Sequence, residues 1–252
     1  MQRLERELGV ALLVRGPRGV EPTAAGADLL VRAEAILAEA ARARAEVDQH
    51  AGARRGHVRV AATAADATGL AAALVGFHRD HPGIRVALRH ASAREVAELV
   101  GTGAADLAVT ALGAADDRAE VLRDEPLVAA LPPGDELAGS GPVALWDLRA
   151  RPFILAERGT ALREAVVAAC EAAGFGPVPP FEVSDPATTR ALVHAGLGVG
   201  VVPPAWLDGP GPEVARVALA APAPRHRVAL LTAGAPAPAA ELLRDRLRDA
   251  LR

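Results

Sequence analysis

The chain holds 252 residues, 51% apolar and 23% charged, which suits two compact units with an appendage and excludes a disordered polymer. Its one cysteine, Cys170, excludes an internal disulfide framework, and Gly and Pro interrupt the apolar runs, such as 197–204, well short of a bilayer span. A net charge of −3 excludes a uniformly basic nucleic-acid binder, yet residues 1–60 carry ten Arg against eight acids and leave −5 for the remainder. All 28 basic residues are Arg, which with the abundance of Ala reads as coding bias. No charged-then-apolar segment precedes a small-residue cleavage site, so a reducing cytoplasm is the expected location.

In chain order, Leu4, Leu8, Val10 and Ala11 have helical spacing, with Gly9 placed for a left-handed cap. Two short strands are expected around the turn Arg15-Gly16-Pro17-Arg18-Gly19. Thr23 then caps a helix of about 25 residues ending near Gln49, more than ~35 Å at roughly 1.5 Å per residue. Its stripe of Leu29, Leu30, Ala33, Ile36, Leu37, Ala40, Ala43 and Val47 has spacings of three and four, and a rod that long needs a partner helix. Residues 51–56 read as a polar hinge. Strand, helix, strand, helix, strand follow at 58–62, 67–80, 84–90, 93–101 and 107–110, and the order repeats at 153–156, 162–173, 180–183, 186–194 and 199–202. Strands at 127–131, 214–219 and 228–232 and a closing helix at 239–251 complete the pattern. Continuous apolar strands joined by amphipathic helices predict parallel sheets covered on both faces.

The front of the chain, with Leu4-Glu5, Leu8-Gly9, Leu12-Leu13-Val14-Arg15, Arg18-Gly19-Val20 and Thr23-Ala24-Ala25-Gly26, closely resembles the second half of the winged helix-turn-helix of LysR-type transcriptional regulators. Further on stand His81-Pro82, Gly103-x-x-Asp106-Leu107-Ala108-Val109, Glu125-Pro126-Leu127-Val128 and Gly196-Leu197-Gly198-Val199-Gly200-x-x-Pro203, in the family's order. The resemblance implies an α/β fold: a partial winged helix-turn-helix at 1–22, a dimerising linker helix at 23–50, then two Rossmann-like subdomains of type-2 periplasmic-binding-protein architecture. The first subdomain is expected at 57–132 with 228–252, the second at 133–227. It also implies about thirty more residues ahead of this point, so 1–22 should be poorly folded, with Leu4, Leu8 and Leu12 exposed. By the same resemblance the partners are promoter DNA, provided those head helices are present, a small-molecule effector and a second or further copies of the chain, with the linker stripe Leu29, Leu30, Ala33, Ile36, Leu37, Ala40 and Val47 as the dimer contact. No cofactor is implied.

Arg3, Arg6, Arg15 and Arg18 are the candidates for phosphate or minor-groove contact. In a bilobal α/β fold ligands sit at strand carboxyl ends, where helix N-termini present N–H groups. That places an effector against Thr63, Ala64, Ala65 and Asp66, then Ser92, Thr110, Ala111, Thr160, Ser184, Asp185 and Gly200, and a small anion would suit those helix ends. Ser92, Ser184 and Asp185 are equally good helix caps, and both roles can coexist. Ala65 departs from the hydroxyl residue frequent at its place in the family. The alternating glycines of 196–200 lack the spacing of a dinucleotide fingerprint. Cys170 reads as a buried, inert thiol, the histidines show no metal-ligand spacing, and no catalytic constellation emerges, so an enzyme is not expected. The alternative is a stand-alone cytoplasmic solute-binding protein that does not bind DNA.

Overall fold

The computed structural model describes residues 1–16, 19–30, 32–33, 36, 40, 56–67, 69–112, 119–208, 211–234 and 236–251. Helix α1 (Gln2–Leu8) stops at Gly9, whose φ of 69° is the left-handed cap that the spacing predicts. Strands β1 (Leu13–Gly16) and β2 (Gly19–Pro22) pair antiparallel, Gly16 opposite Gly19. The Glu5 carboxylate accepts the amides of Leu12 and Leu13 at 2.8 and 3.1 Å and so ties helix to hairpin. The expectation of a poorly folded front is thereby corrected, since its elements form. Leu4 and Leu8 are 40% and 49% exposed as expected, but Leu12 is only 4% exposed. The reason is the next turn of chain: Thr23 donates its N–H to the Leu12 carbonyl at 2.9 Å and its hydroxyl to the Ala11 carbonyl at 2.8 Å.

Thr23 also begins α2, in which residues 24–30, 32–33, 36 and 40 are helical, by accepting the Gly26 amide at 3.0 Å. Of the predicted stripe, Leu29 and Ala33 are half-buried and Ala40 is exposed, while Leu30 and Ile36 are 54% and 68% exposed. Leu37, Ala43 and Val47, the expected helix end near Gln49 and most of the hinge lie outside the described residues.

Two five-stranded sheets follow. The first runs β4 (Ile84–His90), β3 (Gly56–Ala62), β5 (Leu107–Ala111), β12 (Arg225–Thr232), β6 (Glu120–Pro126). The second runs β11 (Ala215–Ala218), β7 (Val128–Leu131), β10 (Val199–Val202), β8 (Phe153–Leu155), β9 (Phe181–Glu182). Each sheet has three parallel strands, next to them one antiparallel strand delivered by a crossing between sheets, and an antiparallel edge. The all-parallel expectation is corrected accordingly: the crossings return the chain in the opposite sense, which a strand's apolar content does not reveal. The boundary expected at residue 132 also moves. Strand β7 lies between β11 and β10, so the chain leaves the first lobe at Pro126 and returns with β12 from Arg225. Leu127 donates its amide to Pro224 at 2.8 Å, binding the two crossings together. Strand β6 escapes the sequence reading because it is a charged edge, Glu-Val-Leu-Arg-Asp-Glu, with only Leu122 buried.

Helices α3 (Leu70–Asp80) and α7 (Pro238–Leu251) cover one face of the first sheet, with Phe77, Leu243 and Leu247 on Val58, Val60, Leu107, Val109 and Leu230. Helix α4 (Ala93–Gly101) sits on the other face, where Ala61 and Ala108 are small enough for Val96 to approach. The second core gathers Phe153, Leu155, Val199, Val201 and Trp206 with Leu162, Val166 and Cys170 of α5 (Ala161–Ala172) and Val193 of α6 (Pro186–His194). The motif acid Asp106 receives Arg59 at both guanidinium edge atoms (2.6 and 3.2 Å) and at its amide (2.8 Å), fastening β3 to the turn before β5.

Candidate functional site

Loops from the carboxyl ends of β3 and β4 in one lobe and of β8 and β9 in the other line a single cleft of about 710 Å³. Three helices begin on it, and each begins with a side-chain cap. At α4 the Ser92 hydroxyl accepts the Glu95 amide at 3.4 Å while the Glu95 carboxylate accepts the Ser92 amide at 3.0 Å, a reciprocal box. Those bonds, the Ser92 amide first and its hydroxyl next, hold the Glu95 carboxyl below the usual range. At α5 Thr160 accepts the Arg163 amide at 3.3 Å and donates to the Glu157 carbonyl at 2.8 Å. At α6 the Asp185 carboxylate accepts the Thr188 amide at 2.7 Å, and the hydrogen bonding from Thr188 holds that carboxyl below its ordinary value. Ser184 accepts the Glu157 amide at 3.0 Å, so the loops after β8 and β9 form one wall.

Seven of the eleven residues predicted for an effector line this cleft: Thr63, Ala64, Ala65, Ser92, Thr160, Ser184 and Asp185. Asp66, Thr110, Ala111 and Gly200 do not. The Asp66 side chain, 2% exposed, is turned inward, where it accepts the Thr63 hydroxyl and the Ala111 amide (2.7 Å) and meets His226 Nε2 at 2.7 Å. Thr110 is 5% exposed within β5, and a Cβ on Gly200 would meet Ala130 and Thr189 side chains within the second lobe. For the strand residues the physical reason is alternation, which points side chains at strand ends to the helix layers, whereas Asp66, in the loop itself, is turned inward by its three bonds.

The sequence reading missed His90, Arg94, Glu157 and Glu182, all of them on the lining. Their signal was adjacency to the predicted caps. Arg94 and Arg158 reach the cleft from opposite lobes and are 89% and 80% exposed, with weak surface pairings to Glu98 (2.9 Å) and Glu182 (3.6 Å). Glu182 is also held by the half-buried Arg163 at 3.0 Å. Trp206 was missed as well; it stands behind the wall and donates its indole N–H to the Ala65 carbonyl at 3.0 Å. Cys170 is fully buried in α5, away from the cleft lining, and burial, then Glu171, pushes its thiol up to about 11. Since the thiolate is the reactive form, this sulfur is inert.

For the DNA candidates, Arg3 and Arg6 are exposed on α1, Arg6 donating to the Gln2 carbonyl at 3.3 Å. Arg15 lies in β1, and Arg18 lies outside the described residues.

Residues 51–252 match the model of the LysR substrate binding domain. The HTH-type transcriptional regulator ShiR of Corynebacterium glutamicum is 33% identical over 207 residues, covering 80% of this chain and 70% of that protein. Full-length OxyR from Pseudomonas aeruginosa superposes with a TM-score of 0.74 at 26% identity, covering 98% of this chain and 83% of its own. Full-length CbnR complexed with its target DNA gives a TM-score of 0.75 at 25% identity and covers 99% and 88%. The two structural superpositions take in the hairpin and α2 as well as the two lobes.

Proposed function

The chain belongs to the LysR-type transcriptional regulators, and from that premise we propose that it binds promoter DNA as a homo-oligomer joined through α2 and that a small anion in the cleft changes this grip. The observation carrying the proposal is the convergence of three capped helix N-termini, from both lobes, on one 710 Å³ cleft. Helix starts stabilise negative charge, and Arg94 and Arg158 add mobile cations on opposite walls. Of the three carboxylates on the lining, Asp185 is engaged as a cap and Glu182 by Arg163, which leaves Glu157. An anion that bridges the two walls favours their approach. The relatives named above are regulators, and CbnR was crystallised on DNA, which supports this reading over a stand-alone binder; so does the uncovered edge of Leu30 and Ile36. Among the described residues no helix is long and apolar enough to cross a membrane, in keeping with the cytoplasmic location we propose.

A mobility-shift assay tests the DNA arm, using the DNA that immediately precedes the coding sequence. Binding should weaken steeply with salt, and Arg3→Ala and Arg6→Ala should each lower the salt slope by about 1 per head. Retention that ignores salt and both substitutions would contradict the proposal.

A further inference from the structure

Trp206 belongs to the second lobe by chain, in the 3₁₀ turn Pro204–Trp206 that leaves β10, and is 4% exposed. Its indole N–H nevertheless reaches the first lobe, donating to the carbonyl of Ala65 at 3.0 Å. Ala65 lines the cleft in the loop after β3, and its methyl packs against the second hydrophobic core instead of the core of its own lobe. The next residue, Asp66, is fastened in the opposite direction, to His226 on β12 and to the Ala111 amide at the end of β5, both in the first sheet. Two consecutive residues of one cleft-lining loop are thus gripped by different lobes.

We propose that Trp206 is an interlobe latch: a positioning residue that holds the loop 63–66 against the second lobe, so that whatever contacts that loop acts on the spacing of both lobes. Opening the lobes either breaks the indole bond, costing the buried Trp206 N–H its acceptor, or drags the loop out of the first sheet against the hold on Asp66. The transmission of an effector signal rests on the cleft being the effector site, as proposed above; the latch itself is a property of the protein alone.

The test is amide hydrogen exchange on the full chain. Trp206→Phe keeps an aromatic body and removes the N–H, and exchange across residues 63–67 should rise about tenfold, while residues 199–202 of β10 keep wild-type protection. Unchanged exchange at 63–67 in a folded Trp206→Phe protein would overturn the latch and reduce Trp206 to core filling. A second measurement needs no change at Trp206. In Trp146→Phe, where Trp206 is the sole indole, its Nε1 proton should exchange in step with the amides of 63–67 in NMR spectra. An indole proton exchanging at the rate of free tryptophan would equally overturn it. Neither measurement uses DNA or effector, so a failed latch is distinguishable from a failed regulator assignment.

Discussion

Replacing Asp66 with alanine lowers the melting temperature by about 10 °C, the consequence of a loss of roughly 3 kcal/mol in a chain of this size. The carboxylate is 2% exposed and serves three donors from three separate segments: the Thr63 hydroxyl, the Ala111 amide at 2.7 Å and His226 at 2.7 Å. Truncation removes the acceptor and leaves the His226 ring, itself 4% exposed, and a strand-end amide without partners in an interior that water does not reach. Asp66→Asn retains one acceptor for the amide and should lose only about a third as much. Thermal unfolding followed by circular dichroism reads both variants; a shift below about 2 °C for the alanine would show that the network contributes little.

Gly26→Ala uncouples the front of the chain from α2 while the two lobes melt unchanged. A Cβ at Gly26 would lie 1.9 Å from the Leu12 carbonyl oxygen and 2.9 Å from its carbon, and neither atom is on a flexible side chain. The strand and the helix start cannot simply part, since Thr23 bonds to both the Ala11 and the Leu12 carbonyls. Overpacking of this kind costs about 2 kcal/mol, so the amides of Leu12 and Leu13, which Glu5 protects, should exchange about thirtyfold faster. This is also a physical account of the motif Thr-Ala-Ala-Gly: its threonine caps the helix and clamps the hairpin, and its glycine admits a backbone carbonyl. Equal exchange in Gly26→Ala and wild type would remove that account.

Much of the fold was legible in local patterns. The helices α4 and α6 begin where Ser92 and Asp185 announce a cap, and the strand 199–202 falls where an apolar run stops at Pro203. Strand partners were not legible. Leu127 to Leu131 reads as a core strand in either lobe, and only pairing of β7 with β10 and β11 assigns it to the second. The cleft was half legible for the same reason. Caps mark where loops open, which found Ser92, Thr160, Ser184 and Asp185, but the charges beside them and the inward turn of Asp66 depend on three-dimensional neighbours 45 and 160 residues away in the chain. Leu12 was misjudged because the chain at Thr23 returns to it, a contact that local spacing does not reveal.

Helix α2, as proposed above, pairs subunits and joins two heads to two lobe pairs. Leu30 and Ile36 stand 54% and 68% exposed in the isolated chain, an apolar edge that a second copy of the same helix would cover. Sedimentation equilibrium of the purified chain at micromolar concentration is the most direct measurement. The expected mass is that of a dimer or a multiple of it; a chain that stays monomeric across the accessible concentration range would rule out pairing through α2.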